Sequence, residues 1–313
     1  LPGSVVSTQQ GQPAIKPERQ TEIEGGVDFS MLSGKLNVEV TYYSKKVFDF
    51  LMLNNIPSSS GFATQWVNAG DLRNQGIEIG LHAQPLQNRN FKWNTSVNFW
   101  FNRSRVTKLS IPPVQLGGLA GIVAGVFQIE QGKPATQIIG LTNEAGYNPP
   151  IKVWGDAEPR FQMNSYNEIA FRNKLSLRFL AHWKYGGSNI NLTNLQSDFG
   201  GTSADWDADK NKNHIPDGLD RIMKVGATSE EFVKNSGYFR IREIGLYYYF
   251  EHTGVPFIKG LRVGVSLNNY ITVTRYPSYD PEVSNFGAGF SSGVDAIPYP
   301  ASKRAALHLS VDL

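Results

Sequence analysis

The sequence predicts an all-β protein: the wall of a transmembrane antiparallel β-barrel with long extracellular loops. Three observations carry that reading: nine segments alternate apolar and polar residues with period two, most run about 10 to 12 residues, and short turns alternate with long connections. Such strands exceed the usual ~5 to 6 residues of soluble sheets and approach what a tilted strand needs to cross a bilayer.

The first segment, "TEIEGGVDFSM", sets Ile23, Val27, Phe29 and Met31 against Glu22, Glu24, Asp28 and Ser30. After "SGK", Leu36, Val38, Val40 and Tyr42 alternate with Asn37, Glu39, Thr41 and Tyr43, which makes a hairpin. A second hairpin joins Ile77, Ile79, Leu81 and Ala83 through "NRN" to Trp93, Val97, Phe99 and Phe101, with Glu78 and His82 on the polar side of its first strand. "RFQMNSYNEIAF" and "KLSLRFLAHWKY" form the third, and "FRIREIGLYYYF" with "GLRVGVSLNNY" the fourth. In the fourth, the apolar parity switches between Ile241 and Ile244, the mark of a β-bulge. Ala305, Leu307, Leu309, Val311 and Leu313 complete the ninth strand.

Short turns fall at 32–34, 87–90, 172–174 and 251–259, and long segments at 47–72, 105–159, 186–238 and 271–302. One end of the sheet therefore carries turns and the other carries loops, as in barrels with periplasmic turns and extracellular loops. In hydrocarbon every backbone donor and acceptor must be paired, which a closed barrel achieves. The apolar faces then meet membrane lipid, and Trp93, Trp183, Tyr185, Tyr42 and Tyr248 near the strand ends suit the interfacial girdles. Glu22, Asp28, Glu39, Glu78 and His82 are expected to face a wet lumen.

Composition narrows the function. A net charge of +3 with scattered Lys and Arg offers no nucleic-acid groove, so no nucleic-acid partner is expected. The absence of Cys removes disulfides, thiolate zinc sites and a Cys nucleophile. The near-apolar run Val114–Ile129 is shorter than the roughly 20 residues of a spanning helix and reads as a buried part of a loop. Bacterial single-chain barrels have even strand numbers, so nine strands are expected to be part of a larger wall: residues 1–313 form its C-terminal part, with the plug domain and N-terminal strands absent.

"KPERQTEIEGGVDFSMLSGKLNVEVTYYSKK", "VNAGDLRNQGIEIGLHAQPL", "FKWNTSVNFWFNRSRVTKL", "GYFRIREIGLYYYF" and "YDPEVS" (Tyr279 to Ser284) occur in an order that resembles the C-terminal part of the SusC-like (SusC/RagA) TonB-dependent transporters of Bacteroidetes outer membranes. The resemblance spans essentially the whole chain. It implies a Gram-negative outer-membrane barrel of about 22 strands around a plug, of which these nine would be the last. It further implies import of a glycan or peptide with force from TonB through the plug, beneath a SusD-like surface lipoprotein, and no enzymatic activity. Leu313 departs from the aromatic terminus usual in such barrels.

The stretch "DADKNKNHIPDGLD", residues 207–220, falls in the long segment 186–238 and is not a general feature of that family. Asp209, Asn211, Asn213, Ile215 through its carbonyl, Asp217 and Asp220 occupy alternate positions closed by a carboxylate at the twelfth, a spacing that suits a hard Ca²⁺ ion. The stretch is also similar to thrombospondin type 3 calcium repeats. His214 stands where the turn normally uses Gly, and a solvated acidic loop is the competing reading. "GFSSG", residues 289–293, fits G-x-S-x-G formally but lacks the strand-to-helix elbow of a nucleophile, and no catalytic residue is assigned. Two rivals remain: a secreted calcium-dependent carbohydrate-binding β-sandwich, and a barrel repurposed as an outer-membrane assembly or secretion component.

Overall fold

The computed structural model describes residues 8–117, 119–251, 254–286, 289, 291–299 and 301–313. Nine strands form one antiparallel meander: β1 (Arg19–Met31), β2 (Leu36–Asn55), β3 (Thr64–Gln87), β4 (Phe91–Leu109), β5 (Phe161–Phe171), β6 (Leu175–Tyr185), β7 (Tyr238–Phe250), β8 (Gly260–Thr274) and β9 (Arg304–Asp312). Each pairs with its chain neighbours, and Gln9–Gln10 adds a short parallel pairing to β3. Among the described residues no helix is long and apolar enough to cross a membrane.

The register sorts side chains as the alternation requires. Val40, Ile79, Phe99, Met163, Trp183, Phe239 and Val273 are successive partners across seven strands and share one face. The adjacent row on the other face runs Glu39, Gly80, Asn98, Asn164, His182, Arg240 and Thr272. The apolar face stays bare: Trp183 is 39% and Val273 64% exposed, as befits a surface that lipid covers. Its few polar side chains satisfy one another, with Trp93 Nε1 donating to Asn167 Oδ1 at 3.1 Å and Asn167 Nδ2 to Ser165 Oγ at 2.9 Å.

The parity switch in β7 is a register shift between Ile241 and Glu243 opposite Leu180 and Ala181. Arg242 is the extra residue, so apolar side chains keep one face on both sides of the bulge.

One expectation is corrected. The segment 47–72 does not open as a loop at residue 47: β2 and β3 continue for 20 and 24 residues and are joined by a 3-10 turn at Ser58–Ser60. β4 likewise reaches Leu109. The extensions change sides. Val47, Leu72 and Val106 are register partners or near-partners whose side chains are buried on the inner face, under Val114, Ile129 and Ala135.

That covering layer comes from segment 105–159, which folds as a four-stranded sheet of Val114–Leu116, Val126–Ile129, Gln137–Leu141 and Ile151–Asp156. The apolar run is thus buried loop structure: Ala124, Phe127 and Ile129 are fully buried, while Gly118 lies outside the described residues. Segment 186–238 supplies helices α1 (Leu192–Phe199) and α2 (Asp217–Lys224) and two short strands, Ser188–Asn191 and Val233–Asn235, which pair with each other, the first also pairing with Val294–Asp295 of the last long connection. Ile138, Ile190, Phe232 and Val294 close a common core, so the three loops form one body at the loop end of the wall.

Candidate functional site

The inner face near the loops holds a dense polar arrangement around the bulge. Arg240 stays in the ladder and Arg242 leaves it, and both guanidinium groups reach the same loop segment. Arg240 donates to Asp280 Oδ1 at 2.7 Å, Glu282 Oε2 at 2.8 Å and Thr272 Oγ1 at 3.0 Å, and Arg242 pairs with Glu282. Asp280 and Glu282 belong to the "YDPEVS" stretch, which is therefore the loop's latch onto the wall. Asp280 Oδ1 also accepts the backbone N–H of Glu282 at 3.0 Å, shaping the turn that presents both carboxylates.

Burial tends to raise the Glu282 carboxyl, but the hydrogen bond and charge of Arg242 outweigh it and hold that group below the usual carboxylate range. Behind the latch, Tyr276 donates to the fully buried Asp295 at 2.9 Å, and burial next to that carboxylate pushes the phenol well up.

Below the latch the wall offers aromatic and amide surfaces. His182 hydrogen-bonds Tyr238 Oη at 3.1 Å and Arg242 at 2.8 Å and stacks on Trp100 at 6.2 Å between centroids. Trp100 in turn borders a shallow hollow with Glu39, Glu78 and Asn98. Asp28, Glu39, Glu78 and His82 all fall on this polar face, and so does Glu22 opposite Lys45. Such a surface offers hydrogen-bonding groups and ring faces of the kind that polar oligomers engage.

Segment 209–220 lies apart, beyond α1. Asp209 Oδ1 and Oδ2 accept the backbone N–H groups of Asn213 and His214 at 3.0 and 3.1 Å, and Asn213 Oδ1 accepts from Ile215 N at 3.0 Å. His214 adopts φ +62°, the left-handed turn for which a calcium loop normally uses Gly. Asp217 opens α2 and accepts from Lys210 N at 3.1 Å. Asp220 meets Asn211 Nδ2 at 3.5 Å and Lys224 Nζ at 2.8 Å. The structure therefore brings Asn211 to Asp220, but among the described residues no three Asp, Glu, His or Cys side chains converge as a metal set. What sequence reading missed is the clamp beside it: Arg221 holds the buried Asp198 through two bonds of 2.7 Å and Asp205 through two, of 2.8 and 3.3 Å, and these partners raise its pKa further. "GFSSG" belongs to the last loop, with Phe290 outside the described residues.

The sequence matches the family model described as TonB dependent receptor-like, beta-barrel, over residues 2–270. TonB-dependent receptor P3 of Formosa agariphila is 25% identical over 95% of this chain and 34% of its own length. TonB-dependent receptor SusC of Bacteroides thetaiotaomicron is 26% identical over 95% of the chain and 32% of its own length. The chain thus spans about a third of the curated relatives it matches. Among solved structures, the RagAB peptide transporter superposes with a TM-score of 0.75 at 21% identity, covering 96% of this chain and 36% of that one. The RagAB peptide importer in the open-open state gives 0.71 at 19% identity, again a likeness of fold.

Proposed function

The chain belongs to the TonB dependent receptor-like β-barrel family, whose place is the Gram-negative outer membrane, and we propose that it forms the C-terminal wall of an importer for glycan or peptide oligomers. The observation that carries this reading is the two-faced open sheet: one face bare and apolar, the other polar, with folded loops set over its extracellular end. An open meander of nine strands has two unpaired edges, so further strands are proposed to complete the wall and a plug to fill it. A SusD-like surface lipoprotein is proposed to sit over the loop body, and TonB to act through the plug. The RagAB relative is described as a peptide transporter, and the Trp100, Asn98 and His182 surface suits sugar rings as well as peptide amides.

The test is uptake by cells carrying the whole transporter. Radiolabelled oligosaccharide and peptide pools are offered to cells with and without the gene, and the complex is purified with its retained ligand for mass spectrometry. Loss of uptake of one pool on deletion supports import, whereas unchanged uptake of both, with no retained oligomer, overturns it.

Calcium binding by segment 209–220 is a second proposal, supported by the alternate-oxygen spacing and by the left-handed turn at His214. Ca²⁺ would have to draw Asp220 away from Lys224. Calorimetric titration of the whole protein should show binding that Asp209→Ala and Asp220→Ala weaken. No heat in the wild type removes the ion from the account.

A further inference from the structure

A hollow of about 200 Å³ lies at the turn end of the polar face, where Lys92, Lys174, Arg178 and Arg262 line it against the single acid Glu168. The register gathers them from β4, β6, β8 and the turn before β6. Lys92, Ala170, Ser176 and Tyr247 are successive partners, Glu168 faces Arg178, and Arg262 faces Tyr249. Like charges crowded around one concave surface repel each other and focus their field into it, so the hollow attracts an anion.

The two guanidinium groups are held in place. Arg178 pairs with Glu168 at 2.8 Å and lies over the Tyr247 ring at 4.9 Å, and that ring is wedged against Gly245 and Gly264. Arg262 lies over the Tyr249 ring at 5.8 Å, and Tyr249 donates to Asp312 at 3.1 Å. Lys174 meets Glu251 at 3.2 Å. Among the described residues Lys92 and Arg262 have no carboxylate at ion-pair distance, so the hollow keeps an excess of positive charge.

We propose that this hollow binds the carboxylate or sulfate groups of an anionic oligomer in transit, and that the imported material is therefore acidic. The inference rests on the import reading, which leaves the charge of the oligomer open. Arg178 stands four residues from His182 on the same face of β6, ~13 Å along the strand, so the hollow continues the polar surface under the latch toward the periplasmic turns. Its size suits one charged group and the unit that carries it. The planar fork of Arg takes two oxygens of one oxyanion, and the aromatic rings already orient both forks for that contact.

The test measures binding of labelled oligomers to the purified whole transporter. A Glu-bearing peptide is compared with its Gln counterpart, and a uronate oligosaccharide with its carboxyl-reduced form, so the two arms separate the two sources of carboxylate. In at least one arm the anionic member should bind about tenfold more tightly at low salt, and the advantage should shrink as ionic strength rises. Lys92→Gln with Arg262→Gln should remove most of it. Equal binding of both members in both arms, or no binding of either, overturns the proposal; a plug carboxylate already seated in the hollow would give that result. An undiminished preference in the folded double variant overturns it as well. Should the variant not fold, the wild-type comparison decides alone. Selective binding by a transporter whose cells take up neither pool refutes import and leaves the site standing, so the two failures are distinguishable.

Discussion

Arg240 of β7 and Asp280 of the last long connection are joined at 2.7 Å, 40 residues apart in sequence and both almost wholly buried. The pair fixes the loop body to the wall, because Asp280 lies beside the segment whose Asn189, Val283 and Pro281 contacts tie the neighbouring loop in. Removing one partner of a buried pair strands the other charge, at a cost of about 3 to 5 kcal/mol. Asp280→Ala is therefore expected to lose that much stability in detergent and to speed amide exchange across 276–286. Arg240→Met with Asp280→Leu should cost clearly less than the two single changes summed. An additive result would show that the pair is not coupled.

Glu282 makes the latch sensitive to acid. Its carboxyl sits below the usual range because the Arg242 hydrogen bond and charge overcome burial. An unfolded glutamate titrates at about 4.3, and the folded group titrates lower. The stabilisation is thus complete above pH ~4.3 and disappears as pH falls through the lower folded value. Amide protection of the last loop should decline over that acid window in the wild type. Glu282→Gln should flatten the dependence there, and an unchanged profile in that variant would remove Glu282 from the explanation.

The nine spanning strands were legible because lipid imposes one rule on every second residue, and Leu175, Leu177, Phe179, Ala181, Trp183 and Tyr185 obey it without interruption. Even the bulge at Arg242 announced itself as a parity switch. The extensions of β2 and β3 did not, because burial changes sides there: Val40 and Tyr42 face outward, while Val47, Phe50 and Met52 are buried. Two register shifts, with Asp49 at φ +54°, accompany the change. A strand whose apolar side reverses reads as a loop in a period-two test. The latch was half visible, since "FRIRE" and "YDPEVS" were both conspicuous, but nothing in a linear sequence says that Arg240 and Arg242 meet Asp280 and Glu282.

The facing of the wall can be tested at two neighbours in β2. Val40 lies opposite Val27 and Ile79 on the apolar face, and Glu39 opposite Asp28 and Gly80 on the polar one. Val40→Arg should cost about 2 to 4 kcal/mol in lipid if the residue lies near the midplane. Glu39→Arg, next in sequence but facing the lumen, should be tolerated within about 1 kcal/mol. Refolding into bilayers under a urea gradient would compare them: reversed costs would mean that the two faces are exchanged, and equal costs that lipid does not distinguish them.

Gly264 shows how tightly one inner-face ring is seated. It is the register partner of Tyr247, and a Cβ built on it would lie 2.2 Å from the Tyr247 ring, far inside any contact real side chains make. The same ring also overlies Gly245, and Arg178 stacks on it at 4.9 Å, so the phenol is held from several sides and has little room to move. Gly in a strand interior is normally a weakness, and here the aromatic covering restores the packing a missing side chain forfeits. Gly264→Ala should therefore destabilise the barrel by about 1 to 3 kcal/mol, the range for overpacking a filled site. Tyr247→Ala removes the obstructing ring, and in that background Gly264→Ala should cost little or nothing. Thermal unfolding of the four proteins in one detergent gives the coupling directly, and a Gly264→Ala penalty that persists without the ring would place the strain in the β7–β8 backbone instead.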